Sequence, residues 1–319
     1  PDQEETMPWT PYYQGDSVRH ELHLADPPPW RVFPRPQAKP KFRPSAELIT
    51  AINTALSLRR PLLVTGLPGS GKSAIIDSVA DELCLDPPLR WDINSRTELK
   101  DGLYRYDVLG RIHAQELAAG RRGEGVNEIA PFMRLGPLGT ALLPSEQPRP
   151  LLIDEIDKGD LDLPGDLLDV LERGTYEIPE LVRYRDRRVE VRMWDTDKAY
   201  PVEHGRVACT TFPFIVMTSN EERDFPPAFL RRCIPFRMPT AGEAEIREIV
   251  RAHLDLEVPP DGPVADLVTD FAKRLAAGQS LAIDQLLNAV FILTGSKDAP
   301  DDAQKKVLLD LLTQKLTGA

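Results

Sequence analysis

"PLLVTGLPGSGKS", residues 61 to 73, opens as an unbroken apolar run and turns within one residue into a glycine-rich loop. An apolar run without polar alternation suits a strand covered on both faces, as strands of parallel sheets are. The loop fits the spacing G-x-x-x-x-G-K-[ST] from Gly66 to Ser73, and helical periodicity follows in "KSAIIDSVADELCL". Gly66, Gly69 and Gly71 permit backbone angles that other residues adopt at a cost. The loop Gly66, Pro68, Gly69, Ser70, Gly71, Lys72, Ser73 and Ala74 can therefore turn its N–H groups inward as an anion cradle, helped by the positive end of the following helix.

The same alternation continues along the chain. "SAELITAINTALSLRR" precedes the loop as an amphipathic helix with a Ser cap, and "LRWDIN", "RPLLIDE" and "FPFIVMTSN" read as three further strands. Ser95 and Glu98 have the spacing of a capping box after the second strand, and "LPGDLLDVLERG" is a helix stopped by Gly174. Buried strands alternating with helices predict an α/β fold, a three-layer sandwich on a parallel sheet. After Pro239 the strands cease. "AGEAEIREIVRAHL", "PVADLVTDFAKRLAAG", "LAIDQLLNAVFIL" and "DAQKKVLLDLLTQKL" are four amphipathic helical segments, a small all-α bundle.

Residues 1–44 hold ten of the 31 prolines and show neither period, as an extended arm would. Their Trp9, Tyr12, Tyr13, Trp30 and Phe33 leave two readings, an arm lying on its own domain or a docking segment for a partner. The expected division is thus an arm at 1–44, an α/β core at 45–239 and a helical domain at 240–319. The chain begins at Pro1 rather than Met, as a processed or excised piece would.

Bulk composition narrows the function. A net charge of -11 argues against coating nucleic acid by bulk attraction, which needs many Lys and Arg contacts to phosphate. No apolar run approaches the roughly 20 residues of a membrane helix, and no basic-then-apolar leader opens the chain, so a cytoplasmic protein without membrane insertion is expected. Cys84, Cys209 and Cys233 are too few and scattered for a disulfide framework or zinc site and read as small buried residues. His20, His23, His113, His204 and His253 lack convincing metal-ligand spacing.

The chemistry concentrates at strand ends. Lys72 is placed to reach the β- and γ-phosphates of a bound nucleotide and the Ser73 hydroxyl to ligate Mg²⁺. "LLIDEID" ends an apolar strand in two acids, putting Asp154 at the carboxyl edge where ligands of open α/β sheets bind. Asp154 can join the Mg²⁺ shell, and Glu155 can orient and deprotonate an attacking water. That second acid favours hydrolysis over transfer to a substrate hydroxyl. Asp157 and Asp160 read as caps of the next helix. Asn220 ends another strand, where its amide can hold the water in line. Arg231 and Arg232 follow a short helix and can neutralise a phosphoryl transition state, more often for a neighbouring subunit than their own.

With these elements the chain resembles the AAA+ ATPases, and among them the MoxR-like group, from about residue 45 to the end. "LLIDEIDK", "MRLGPLGTAL", "TSN" and "PPAFLRRC" carry the resemblance. It implies ATP and Mg²⁺ as cofactors, Asn220 as sensor 1, Arg232 with Arg231 beside it as arginine finger, and residues 240–319 as the lid. It also implies a homo-oligomer, a hexameric ring, acting on a protein client such as a von Willebrand A-domain protein. Two inserts fit the pattern, a helix-2 insert at about 99–135 and a β-hairpin before the sensor strand at about 176–207. One departure stands out: "QSLAIDQLL" has no Arg or Lys where many relatives carry sensor 2, and Lys273 and Arg274 lie on the preceding helix.

Two other classes remain open at this level. The hairpin insert interleaves Arg183, Arg185, Arg187, Arg188 and Arg192 with Tyr184 and Trp194, a composition that can grip single strands and would suit a nucleic-acid motor or restriction-type NTPase. A solvated hairpin meeting acidic surfaces is the simpler reading of it. A signalling switch is the third class, although such switches often place an Arg where Asn220 stands and do not need Glu155.

Overall fold

A computed structural model describes residues 21, 26–33, 42, 44–120, 128–279 and 281–295. Trp9, Tyr12, Tyr13 and the fourth C-terminal helix expected from the sequence lie outside these residues. Helix α1 (Ala46–Leu58) begins where the Ser45 hydroxyl accepts the Leu48 N–H at 3.2 Å. Strand β1 (Leu62–Thr65) leads through the glycine-rich loop into α2 (Ala74–Glu82), and β2 (Leu89–Asp92) follows. Helix α3 (Leu99–Leu103), β3 (Tyr104–Tyr106), α4 (Val108–Gly120), β4 (Met133–Leu135) and α5 (Pro137–Ala141) intervene before β5 (Pro150–Asp154). Helix α6 (Leu163–Arg173) ends on Gly174, whose left-handed conformation lets its N–H return to the Val170 carbonyl. Then come β6 (Thr175–Glu177), α7 (Pro179–Val182), β7 (Arg188–Arg192), β8 (Ala199–Glu203), β9 (Arg206–Ala208), β10 (Phe214–Ser219), α8 (Pro227–Leu230) and β11 (Ile234–Arg237). Helices α9 (Glu243–Leu254), α10 (Pro263–Ala276) and α11 (Ile283–Gly295) complete the described chain.

The first sheet is wholly parallel in the order β11-β1-β10-β5-β2, the α/β core expected from the apolar strands. Its register aligns Thr65 with Ser219, Met217 with Ile153, and Asp92 with Asp154, so the polar strand ends share one edge. β11 is an addition to the sequence reading. It carries Pro235 and is only half-buried, which suits an edge strand and hides it from a search for apolar runs.

The two inserts prove to be one structure. Strands β3 and β4 from the first join β6 to β9 from the second in a six-stranded sheet, β3-β4-β7-β8-β9-β6. The expected hairpin is present as β7–β8, with Val189 and Val191 buried between exposed Arg188, Glu190 and Arg192. Those valines share one hydrophobic core with Leu151, Ile153, Ile215 and Met217 of the parallel sheet. Two smaller expectations fail. The capping box sits three residues later, with Glu98 as cap and Asp101 as its reciprocal partner, because Asn94 and Thr97 close a turn first. Of the cysteines only Cys233 is buried; Cys209 is half-buried and Cys84 exposed.

The chain separates into two compact units, one of Phe42–Gly66 and Gly71–Arg237, the other of the described residues of Pro1–Lys41, Leu67–Ser70 and Met238–Ala319. Within the second, Ile246, Val250, Val268, Phe271, Leu286 and Val290 of α9, α10 and α11 form the core. Trp30 packs edge-on against Phe291 of α11, with ring centroids 6.1 Å apart, so this part of the proline-rich segment lies on the helical unit. Among the described residues no helix is long and apolar enough to cross a membrane.

In "MRLGPLGTAL", Gly139 leaves no room for a side chain: an added Cβ would fall on the Leu103 carbonyl oxygen and within 2.8 Å of the Tyr176 hydroxyl. Gly139→Ala is expected to cost about 1–3 kcal/mol, which differential scanning fluorimetry would read as a fall of several degrees in Tm. Gly165→Ala, on α6 with open space around it, is the control and should not lower Tm. Equal melting of the two variants would contradict the packing described.

Candidate active site

At the carboxyl edge of the parallel sheet, β1, β5 and β10 bring a lysine, a hydroxyl, three acids and an amide together. Lys72 is 7 % exposed, and its ammonium donates to the Gly66 carbonyl at 2.8 Å and to Asn220 Oδ1 at 2.9 Å. Burial draws its pKa below the ordinary lysine value, opposed by the charges of Asp154, Asp157, Glu155 and Glu221. The other end of the Asn220 amide donates from Nδ2 to Glu155 Oε1 at 3.2 Å. One amide therefore bridges the buried ammonium and the carboxylate, a use of both its polarities.

The Ser73 hydroxyl donates to Asp154 at 2.9 Å from Oδ1 and 3.1 Å from Oδ2. Thr218, on β10, donates its own hydroxyl to Asp154 Oδ1 and accepts the Glu155 N–H at 2.9 Å. It thus locks the end of β5 to its neighbour. Glu155 has φ of 57°, the left-handed region that non-glycine residues enter at a cost and that recurs at functional sites. Its Oε2 meets Lys158 Nζ at 2.7 Å, and this hydrogen bond holds the Lys158 ammonium above its usual pKa.

Gly71 has φ of 82°, and a Cβ there would crowd the Phe42 ring at 3.3 Å. Lys72, Ser73 and Ala74 continue from it, with the Ala74 N–H turning back to the Gly71 carbonyl at 3.0 Å. Pro68, Gly69 and Ser70 cluster with the helical unit; Gly69 has φ of 76°, and a Cβ there would meet the Ile283 nitrogen at 2.9 Å. Neither Arg231 nor Arg232 joins the group around Lys72. Arg232 donates from Nε to Glu172 Oε1 at 2.5 Å and from its guanidinium to the Ala228 carbonyl at 3.1 Å. Arg231 is exposed, and its carbonyl accepts a bond from Arg60. In the helical unit Arg274 turns to Gln279 at 2.9 Å and towards Asp270 at 3.8 Å.

Asp157 corrects the sequence reading. It is buried, 4 % exposed, and its Oδ2 accepts the N–H groups of Asn220 at 2.9 Å and Glu222 at 3.1 Å instead of capping α6. The position of Pro164 carries a signal for this. A proline in the first turn sets the cap at Asp162, five residues beyond Asp157. Asp160 lies nearer the helix and accepts the Asp162 N–H at 3.1 Å. Thr218, Lys158 and Arg223 were also missed, since their roles arise only from strand register and loop contact.

Residues 61–233, more than half of the chain, match the AAA domain family, dynein-related subfamily, and the chain belongs to that family. It is an AAA+ ATPase, and nucleotide binding follows from that membership. No curated protein matches the sequence. Among solved structures it is similar to NtrX from Brucella abortus in complex with ADP, 16% identical with a TM-score of 0.39, over 85% of this chain and 54% of that one. It is also similar to a protein from Cytophaga hutchinsonii provisionally described as an ATPase, 14% identical with a TM-score of 0.34, over 64% and 48% of the two chains. The chain spans about half the length of these two structures, and likenesses this slight carry no argument.

Lys72→Ala removes a charged hydrogen-bond donor from the site. Loss of one such bond, about 1.5–3 kcal/mol, should weaken binding of a fluorescent ATP analogue roughly 10- to 150-fold. Unchanged affinity in fluorescence titration would remove Lys72 from phosphate recognition.

Proposed function

We propose that the chain is a Mg²⁺-dependent, MoxR-like AAA+ ATPase that works as a ring, in the simplest case a hexamer, and uses ATP hydrolysis to remodel a client protein. The observation that carries the hydrolytic part is the bridge Lys72–Asn220–Glu155, formed beside the Ser73–Asp154 pair. Lys72 is a cation for terminal phosphate oxygens. Asn220 and Glu155 lie within hydrogen-bond reach of one another, as two groups holding the same water must be. Glu155 takes the proton of that water, and Asn220 fixes its direction of approach. The Ser73 hydroxyl and Asp154 carboxylate are hard oxygen donors in contact, a set that fits Mg²⁺. When bound there, Mg²⁺ supplies neutralisation of charge on the β- and γ-phosphates.

The ring is inferred from the arginines. Arg232 is tied to Glu172 and Ala228, and Arg231 is exposed; none of the contacts described for either runs to Lys72, Asn220 or Glu155 of their own chain. An arginine finger from this pair therefore acts on a neighbouring subunit's nucleotide. Residues 1–44 as arm, 45–239 as ATPase core and 240–319 as lid are part of the same proposal, as is a cytoplasmic setting. A von Willebrand A-domain protein is the client that the MoxR-like resemblance suggests.

The nucleic-acid reading loses its strongest support. Arg111 covers the Tyr184 ring at 5.7 Å, while Arg105 and Arg134 lie over Trp194 at 5.5 and 5.0 Å. Rings already faced by guanidinium groups of their own chain are poor platforms for stacking bases.

Two experiments test the reading. Glu155→Gln should retain ATP while turnover falls by about 100-fold or more, since general-base catalysis is typically worth about 10²–10⁴; normal turnover in a coupled phosphate-release assay would exclude Glu155 as the base. Arg232→Ala and Arg231→Ala subunits, each inactive alone, should regain part of their activity when mixed with Glu155→Gln subunits. Failure of every mixture across a range of ratios would count against a finger acting between subunits.

A further inference from the structure

The first turns after β5 and β10 are clasped from both sides. From the β5 side, Asp157 reaches across and receives the N–H groups of Asn220 and Glu222. From the β10 side, the Arg223 guanidinium reaches back and donates to the carbonyls of Gly159, Asp160 at 3.1 Å and Ile156 at 3.5 Å. Each clasp joins a side chain of one loop to the backbone of the other. Between them lies Asn220, whose backbone N–H is fixed by Asp157 and whose amide spans Lys72 and Glu155.

Asp157 is an expensive way to end a turn. A carboxylate removed from water costs free energy unless its oxygens are satisfied, and here Oδ1 is buried without a hydrogen-bond partner. A surface Asp or Ser could cap a turn without that cost. What the buried position provides is a fixed anchor for two successive peptide groups at the tip of β10. The strand ends at Ser219, and Glu221 turns left-handed with φ of 61°, so no ladder hydrogen bond continues to hold Asn220. The anchor replaces the ladder at the residue where direction matters.

We propose that Asp157 is a positioning residue for ATP hydrolysis: it fixes the Asn220 backbone so that the Asn220 amide points between Lys72 and Glu155. It touches neither the nucleotide nor the water, and it acts on turnover through Asn220. The inference rests on the reading of Asn220 and Glu155 as the groups that hold and deprotonate the water. Its consequence is a division of labour among three acids in "DEID": Asp154 for the metal, Glu155 for the proton, Asp157 for the geometry of the opposite strand.

The test is a double-mutant cycle in the full chain, with kcat from steady-state ATPase assays and Kd from titration of a fluorescent ATP analogue. Asp157→Ala should lower kcat about 10- to 100-fold, the scale of a displaced catalytic group, while Kd changes less than about threefold, since the loss falls on the transition state rather than on binding. Asp157→Asn, which keeps a side-chain oxygen for the Asn220 N–H, should restore kcat to within about fivefold of the parent, one neutral hydrogen bond replacing a charged one. Asp157→Ala added to Asn220→Ala should cost no more than Asn220→Ala alone, because the amide that Asp157 orients is then already gone. The proposal is overturned by parental kcat in Asp157→Ala, by a full additive loss on the Asn220→Ala background, or by equal loss in the Ala and Asn variants. If circular dichroism shows Asp157→Ala unfolded, Asp157→Ser takes its place, its hydroxyl being too short to span both N–H groups, with the same outcomes. Asn220→Ala and Glu155→Gln run in the same assays separate the two levels. Full turnover in both sinks the reading of the site, whereas loss in both with parental Asp157→Ala sinks only the role of Asp157.

Discussion

A buried ammonium needs partners, and the arrangement at the carboxyl edge of the parallel sheet can be read as the set of partners that Lys72 requires. Taking a lysine out of water is unfavourable unless hydrogen bonds and opposite charges compensate. The Gly66 carbonyl and the Asn220 amide supply the bonds, and Asp154, Asp157 and Glu155 supply the charge. Those groups come from three strands, so the compensation exists only when β1, β5 and β10 stand in their observed register. The loop conformation, the sheet order and the cluster of acids are therefore one constraint expressed three times. In the proposed reaction a nucleotide phosphate competes for the same ammonium, and Lys72 exchanges the Gly66 carbonyl and the Asn220 amide for phosphate oxygens.

Much of this was legible in the chain. Ser45 and Gly174 mark helix ends by local chemistry, and the strands "PLLVT", "LLID" and "FIVMTS" declare themselves by apolar runs, since strands buried on both faces have no polar side to show. What escaped the sequence was whatever depends on residues far apart. Strands β3, β4, β6 and β9 have three residues each, too few for any period to register, and acquire their identity only by pairing with other strands of the second sheet. Asp157 looked like a cap because a short acid near a helix usually is one. Its real partners, Asn220 and Glu222, lie more than sixty positions away. Arg232 and Glu172 were recognisable as residue types, and their pairing was not.

The second sheet also explains how an acidic protein can carry so many arginines in its two inserts. Arg188 pairs with Glu190 and Arg206 with Glu177, exposed contacts of small energetic weight. The arginines Arg105 and Arg134 lie opposite one another on β3 and β4 and share the face of Trp194. A planar, weakly hydrated guanidinium suits stacking where a lysine would not, so the choice of Arg over Lys here is a packing choice. Positive charge in these inserts is part of how their shared sheet is assembled.

The left-handed backbone of Glu155 has an implication for how this position can vary through descent. The proposed chemistry admits any residue able to accept a proton, but the turn admits only residues that tolerate positive φ, where Asn and Asp fare better than most and β-branched side chains fare worst. Two independent sieves thus act on one site, and a drifting lineage must pass both. Replacement with asparagine, which tolerates the turn but cannot accept a proton, is the path of least conformational resistance to a nucleotide-binding descendant that does not turn over ATP.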